Sequence, residues 1–580
     1  MNTRRIALAS GLALTLTALA AGCGVNPTAT NARVAPAVKP VNGATIVYAL
    51  PTQTNINWYL PISNSADDSL YNFQLVDQMY MPLFYISRNY TIDWADSIAK
   101  NVTYNPQGTV YHVFLNPKWK WSNGQPVTSA DVLFTWNVIK AASAKNAPPP
   151  WPYVGAGTGD IPTGVKSVVA NGKYEVTVTL KQPANQEWFI YNGLNQLTPM
   201  PTTWDKYPGN ITDEIKYLGS EATNWHFVAN SVVDGPYKLV KAVSSQEWRL
   251  VPNSSFPGVK ARDNVVFAYQ TSSANEFAGL KTNAIQVGYV DLSDWNARGQ
   301  LTNDRLFPTY GMDYFDIELN MQPNAQNGLG PVFQNLYVRQ ALEEAIPQQQ
   351  IDTAVFHGFG PPQYGPIPTV PSTIYLAPQL KKPLYPYNLA HAKALLTSHG
   401  WRMQNGVMTK DGKQLAFTLM YSSGSEEINQ QMEIIAASWS QIGVKVTLKP
   451  TPFATLLGII DSSSQASKWD AAGGQGIIYG GSYPSGGELF GSTGGLNNFG
   501  YSNKEEDALI AATHTPYPNQ AINLQHFYKY EVYTAEQLPN LWTNQTSTIV
   551  AVEKDVYGVN RTTVNAVVGI PLMNYWWVGK

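Results

Sequence analysis

The sequence predicts an α/β protein built from two or three domains. Three observations carry this expectation. A chain of 580 residues exceeds what one hydrophobic core holds. Hydrophobic residues make up 44%, enough for large cores and too many for a disordered chain. Helical and strand periods alternate along the C-terminal half, the pattern of α/β architecture.

The elements follow in chain order. Residues 43–50 (GATIVYAL) read as the first strand, and 52–65 as a polar loop carrying Trp58 and Tyr59. Residues 70–85 read as a helix that turns into a strand. Segments 109–115 (TVYHVFL) and 174–180 (YEVTVTL) alternate with period two. Thr128 caps SADVLFTWNVIKAA, whose apolar residues recur at helical spacing, and 147–152 (APPPWP) breaks the pattern. A second block begins near Asn230, with strands at 236–242, 247–251 and 264–270, a short helix at 275–282 and a strand at 315–321. Helices are expected at 337–346 and from the Asn388 cap to Gly400. The clearest helix is 425–442, where Ile428, Met432, Ile435 and Trp439 share one face and Gly443 closes it. Val444, Val446 and Leu448 then alternate as a strand. No repeat of solenoid period is present.

Charged residues make up only 13%, against roughly 25% in an ordinary soluble protein. With a formal charge of −2 and no basic patch, nucleic acid is not expected as a partner. Arg4 and Arg5 precede an apolar run at 6–21, an export signal rather than a membrane span. It ends LAAGC, which resembles a bacterial lipobox. A signal peptide is therefore expected at 1–22, lipid on Cys23, and a lipid-anchored linker at 23–43. Cys23 is the sole cysteine, so no internal disulfide can form.

Enzyme signatures are missing. The chain has no H-E-x-x-H, no Walker loop and no G-x-S-x-G. His391 and His399 are more than two helical turns apart, too far to share a metal. Gly155, Gly157 and Gly159 follow a proline-rich break rather than a strand, so they read as a plain loop. No catalytic residue, cofactor or metal is expected. A secreted hydrolase is the alternative from another class, since any of the 40 acidic residues can pair in space.

Six phrases then occur in order: KWKWSNGQPVTSADVLFTW (118–136), DGPYKLV (234–240), LYVRQALEEAI (336–346), YNLAHAKALLTSHGW (387–401), QIGVKVTL (441–448) and GYSNKEEDALI (500–510). Together they resemble the extracytoplasmic solute-binding proteins of ABC importers in the oligopeptide, dipeptide and nickel class (solute-binding family 5, cluster C). The residues most typical of these phrases (Pro126, Thr128, Asp131, Gly235, Pro236, Arg339 and Asp507) read as fold positions, not as a site. The resemblance implies a periplasmic-binding-protein-like type II fold: two lobes around a hinge with an additional inserted domain. Carried onto this chain, lobe I is 44–85, 201–315 and 536–580, the inserted domain is 86–200, and lobe II is 316–535. It also implies a monomer that captures a ligand in the interlobe cleft and delivers it to an ABC permease with a cytoplasmic ATPase.

One segment departs from that pattern. Residues 476–484 read GIIYGGSYP. Peptide-binding members resemble Gly-Trp-x-x-Asp there, and the aspartate receives the ligand's α-ammonium. Here Gly480 or Gly481 takes the aspartate's place, and Ile477 or Ile478 the tryptophan's. Three expectations follow. The ligand is uncharged, such as an oligosaccharide; or a peptide is held through its backbone with its amine paired elsewhere; or the carboxylate is displaced to Glu488 or Asp470. Candidate ligand-binding residues are Thr52, Gln53, Trp58, Trp151, Tyr153, Ile478, Tyr479, Gly480, Gly481, Tyr483, Trp542 and Asn544, aromatic faces and amides suited to sugar rings or peptide backbone. The low charge fits either a neutral ligand or acidic surroundings, in which carboxylates are protonated.

Overall fold

Strand Thr45–Ala49 forms where its alternation predicts and becomes a central strand of the first sheet. It runs parallel to Asn264–Ala268, with Thr45 opposite Asn264 and Ala49 opposite Ala268, and meets Val287–Val290 through Tyr48 and Val287. The computed structural model describes residues 38–580. The expected signal peptide, Cys23 and nearly all of the expected linker lie outside the described residues.

The first sheet has seven strands, in the order Asp304–Thr309, Thr548–Glu553, Val287–Val290, Thr45–Ala49, Asn264–Ala268, Glu247–Pro252 and Tyr237–Val243. A second, of five strands, runs Lys445–Thr451, Ala416–Ser422, Ala471–Ile478, Asp313–Leu319 and Asn540–Trp542. Its first three strands are mutually parallel and the last two join antiparallel. A third, four-stranded and wholly antiparallel, is formed by Ala99–Tyr104, Val110–Leu115, Glu175–Leu180 and Val165–Ala170. The chain thus combines a seven-, a five- and a four-stranded sheet with helices, the mixed α/β class that the sequence predicts.

Two boundaries differ from the sequence-based limits. Strand Asp313–Leu319 begins before residue 315, and Asn540–Trp542 pairs with it through Asp316 and Trp542. Residues 540–542 therefore belong to the five-stranded sheet and not with the seven-stranded one, as a limit at 536 has it. The three-residue strand is too short to show a period. The helix after Ser69 also stops sooner than expected, at Val76, and the strand beyond it is only Tyr85–Ile86.

Helix Glu426–Gln441 forms as its period dictates. The Ser425 hydroxyl caps it by accepting from Ile428 N–H. Its apolar face buries Met432, Ile435 and Trp439 completely. Burial of the first two alone contributes about 1.5–3 kcal/mol each. Gly473 of the sheet lies directly beneath, since a Cβ there would sit 3.0 Å from Ile317 and 3.2 Å from the Met432 sulfur. This helix therefore covers the Ile317 side of the sheet. Tyr314, Asp316 and Glu318 point to the other side by the strand's two-residue period.

The family-typical residues do structural work. Arg339 is buried and donates to the carbonyls of Phe333 (2.7 Å) and Gln537 (2.9 Å). The Asp507 carboxylate accepts from Ser492 N–H. Gly235 presses against the Gln78 carbonyl, where a Cβ would come to 2.5 Å. Asp131 completes a capping box on helix Ser129–Ala142. One carboxylate oxygen accepts from Thr128 N–H (2.8 Å) and hydroxyl (3.0 Å); the other accepts from Thr202 N–H (3.0 Å) and hydroxyl (3.2 Å). Replacing Asp131 by Ala strips partners from both segments, and denaturant unfolding is expected to show a loss of about 2–4 kcal/mol.

Candidate functional site

The 476–484 segment leaves the five-stranded sheet at Ile478 and turns through Gly480 (φ 57°) and Gly481 (φ 87°), a left-handed conformation that glycine adopts without strain. What it approaches is the protein itself. Asn192, beyond the four-stranded sheet, accepts from Tyr483 N–H (2.6 Å) and donates back to the Tyr483 carbonyl (3.0 Å). The Tyr90 hydroxyl donates to the Ser482 carbonyl at 2.7 Å. A Cβ on Gly481 would come within 2.8 Å of Ile86. Every partner is neutral, so an ionic group at the buried Gly481 or Tyr483 would lack a counter-charge.

Other contacts also join the bodies. Gln53 accepts from the Ser423 hydroxyl (2.6 Å), and the Ser65 hydroxyl donates to the Asp461 carbonyl (2.9 Å). Asp291 accepts from the Ser425 hydroxyl, and Glu427 from Leu292 N–H, each at 2.7 Å. Thr158 donates to the Glu488 carboxylate at 2.8 Å. These hydrogen bonds tie the segments around the seven-stranded sheet to those around the five-stranded one.

The candidate residues from the sequence separate into four groups. Gln53, Gly481 and Tyr483 join one body to another; Thr52 lies against Gly424 of the facing body, and exposed Gly480 turns the chain. Ile478 and Tyr479 secure the base of the turn, with Tyr479 N–H donating to Met312 and its hydroxyl to the Pro366 carbonyl (2.8 Å). Trp58 and Trp151 stack edge-on at 6.0 Å, and their ring N–H groups donate to the carbonyls of Ile62 and Ile215. The buried Tyr153 lies beside Asp68 and Glu488. Trp542 and Asn544 brace their own surroundings. Trp542 is buried against Tyr314 and also forms part of a groove of about 120 Å³ with Tyr364, Tyr385 and Tyr387. Asn544 is fully buried and donates to the carbonyls of Gln348 (2.9 Å) and Gly360 (2.7 Å).

Sequence reasoning singles out Glu488; it misses Asp68, Asp316, Glu318 and Asp461, acidic side chains whose charges act on one another and, through Asp68, on the surroundings of Glu488. Asp68 follows the turn Ser65–Asp67 of the first body. Asp461 ends helix Phe453–Ile460, Asp316 and Glu318 share a face of their strand, and Glu488 follows the glycine turn. Burial pushes the Asp68 carboxyl up to about 7, with the Glu488 charge adding and the Ser63 hydroxyl opposing. Burial likewise raises Glu488, against the Thr158 hydrogen bond. Asp461 stands well above the usual carboxylate range through burial, then through Glu318 and Asp68. Burial and Asp461 act on Asp316, opposed by its bond from the Asn540 amide; burial and Asp316 act on Glu318. No lysine or arginine is among the charges acting on these five. Asp68, Asp461 and Glu488 nevertheless keep accessible surface. Asp470 is different: it is fully buried and accepts from Asn327 N–H (2.8 Å), the Asn327 amide (2.6 Å) and Thr418 N–H (3.1 Å). Its oxygens are taken, and it holds its own body together.

The profile of the family described as "Bacterial extracellular solute-binding proteins, family 5 Middle" matches residues 94–498, well over half of the chain. The chain belongs to the family 5 extracellular solute-binding proteins. Members of this family are receptors and not enzymes. Oligopeptide-binding protein AppA of Bacillus subtilis is 24% identical over 423 residues, covering 71% of each chain. The structure of AppA in complex with a nonapeptide superposes with a TM-score of 0.78 at 21% identity, over 93% of this chain and 100% of that one. DppA from Helicobacter pylori, solved in complex with a peptide, gives 0.75 at 18% identity, over 93% and 99%. NikZ from Campylobacter jejuni, in complex with Ni(L-His), gives 0.71 at 20% identity, over 92% and 99%. One fold houses different cargoes in these relatives, so the cargo of this family 5 protein must be argued from its own cleft.

Two predictions follow from this geometry. Asn192→Ala removes two hydrogen bonds across the closed contact and is expected to weaken cargo affinity about 5–30-fold, for about 1–2 kcal/mol, in a direct titration. The second concerns pH. Burial raises Asp304 to about 6, Asp68 and Asp313 to about 7, and Asp77, Glu276 and Glu506 to about 8. These groups hold protons more tightly in the folded chain than in the unfolded one, where they titrate near about 4. Their contribution is complete below about pH 4 and is lost as pH rises through about 6 to 8. His514, lowered by burial to about 3, acts oppositely: its contribution is present above about 6.5 and is lost as pH falls. Six carboxyls outweigh one imidazole, so the melting temperature is expected to be higher near about pH 4.5 than near about pH 8. The reverse order would contradict this assignment.

Proposed function

We propose that this chain is the lipid-anchored receptor of an ABC importer that captures peptides between its two larger bodies and delivers them to a membrane permease. It acts as a monomer outside the cytoplasmic membrane, held there through Cys23. The seven-stranded and five-stranded bodies are its lobes, the hinge runs through the crossings near 312 and 543, and the four-stranded body is an insertion in the first lobe. The observation that carries the peptide assignment is the acidic lining of the closed cleft, which has no basic partner of its own. A peptide supplies positive charge together with backbone groups for the neutral donors and acceptors nearby. Relatives of the same fold solved with peptides support it.

An oligosaccharide suits the cleft less well. Trp58 and Trp151 face each other and donate their ring N–H groups to backbone carbonyls, so neither offers an open platform for a sugar ring. Thermal unfolding of the mature chain, 23–580 with Cys23→Ser, separates the two. Peptide pools are expected to raise the melting temperature by mass action, about 2.7 kcal/mol of added stability at a hundredfold excess over Kd, and oligosaccharides to leave it unchanged. Bound peptide should be recovered intact at one per chain. A shift with oligosaccharides alone overturns the peptide assignment, and cleaved peptide points to a hydrolase.

A further inference from the structure

We propose that the groove containing Glu343 is a second binding site, separate from the cargo cleft, which takes a small organic cation with the Glu343 carboxylate as its counter-charge and tyrosine rings as its walls. The groove has a volume of about 120 Å³. Its lining comes from the end of helix Leu336–Glu343, the start of helix Gln348–Ala354, the proline-rich segments 362–364 and 383–387, and Trp542 of the five-stranded sheet. No strand of the seven-stranded or four-stranded sheet contributes to it. The site therefore stands whatever the cleft carries.

The wall is built and the floor is unfinished. Tyr385 is fixed: its hydroxyl accepts from the Gln340 amide (3.0 Å) and donates to the Glu536 carbonyl (2.7 Å). The Gln348 amide is spent on Gln363 and on the Trp542 carbonyl. Glu343, only 6% exposed, differs. One of its oxygens accepts from Trp542 N–H at 3.0 Å. The other accepts from nothing among the described residues, yet it is not sealed off, so it opens on the groove that Glu343 lines. A buried carboxyl normally has its partners within the fold, and one that faces a groove with an oxygen to spare is a place for a ligand donor.

The chemistry of that donor follows from the surroundings. Burial holds the Glu343 carboxyl well above the usual range and Glu344 adds to this, against the Trp542 N–H bond. No cation is among the groups acting on it. His391 is taken by Glu344 at 2.6 Å, and the exposed Lys381 and Lys382 make no bond to Glu343. A bound cation supplies the missing counter-charge. Tyr364, Tyr385 and Tyr387 offer ring faces that attract it, and Leu384, Pro383 and Pro386 cover its apolar part. A metal ion does not fit, since no group of three or more His, Cys, Asp or Glu is placed to hold one among the described residues. Cavities of about 150 Å³ admit a molecule the size of benzene, so the ligand is a compact amidinium, guanidinium or alkylammonium.

Benzamidinium and its uncharged counterpart benzamide test this in calorimetric titrations of the mature protein. Benzamidinium is expected to bind one per chain and about tenfold or more tighter than benzamide. Glu343→Gln keeps an acceptor for Trp542 N–H and should melt no lower than the parent, but lose the preference for charge. Tyr387→Ala, which truncates a ring that is 48% exposed, should weaken benzamidinium about two- to fivefold without changing stability, and it carries the test if Glu343→Gln fails to fold. The cation can be a free molecule or an arginine side chain of another protein. Acetylarginine amide that binds the parent and not Glu343→Gln assigns the side chain; binding of benzamidinium alone assigns a free cation. Equal binding of benzamidinium and benzamide, no binding of either, or variants that bind benzamidinium as the parent does overturns the inference. Each of these results leaves the peptide reading of the cleft as it stands.

Discussion

Asn192 and the backbone of Tyr483 exchange two hydrogen bonds, and with Tyr90 and Ile86 they seat the glycine turn against the rest of the molecule. This contact joins neutral groups on both sides. Two consequences follow. A turn that packs on protein needs close backbone approach, which Gly481 supplies, and it needs no charge. Closure also brings Asp68 up to Asp461 and Glu488, so the same event that seats the turn buries the carboxyls. The four ion pairs among the described residues each lie within one body, so no salt bridge assists. Closure must therefore be favoured by neutral hydrogen bonds, packing and ligand, against the cost of desolvating acids.

The same constraint explains the composition. A protein with few charges leaves its buried carboxyls without cations, and burial then holds them protonated toward neutral pH. In acidic surroundings those groups are neutral in the folded chain and cost little to bury.

Much of the fold was legible in the sequence because its signals are local. The period of Thr45–Ala49, the Ser425 cap and apolar face of Glu426–Gln441, and the Thr128–Asp131 box each lie within a few residues. Asn540–Trp542 was not legible, because three residues carry no period and only pairing with Asp313–Leu319 makes them a strand. The turn at 476–484 stood out through its glycines and its lack of charge, but nothing near it in sequence points to Asn192, 291 positions away. The carboxyl lining was hidden for the same reason. Ser65 and Asp461 are 396 positions apart, and an acidic residue among 40 gains meaning only when folding sets it beside others. The aromatic candidates failed differently: Trp58 and Trp151 share a place, but they satisfy each other and the backbone.

Whether the neutral contact governs closure is tested most directly by measuring the distance between the bodies in solution. Spin labels at Lys281→Cys and Lys504→Cys, both exposed, report it by pulsed electron resonance in a Cys23→Ser background. The account predicts a population at the short, closed distance that is depleted when Asn192→Ala and Tyr90→Phe are introduced together. Identical distance distributions with and without those two substitutions would contradict it.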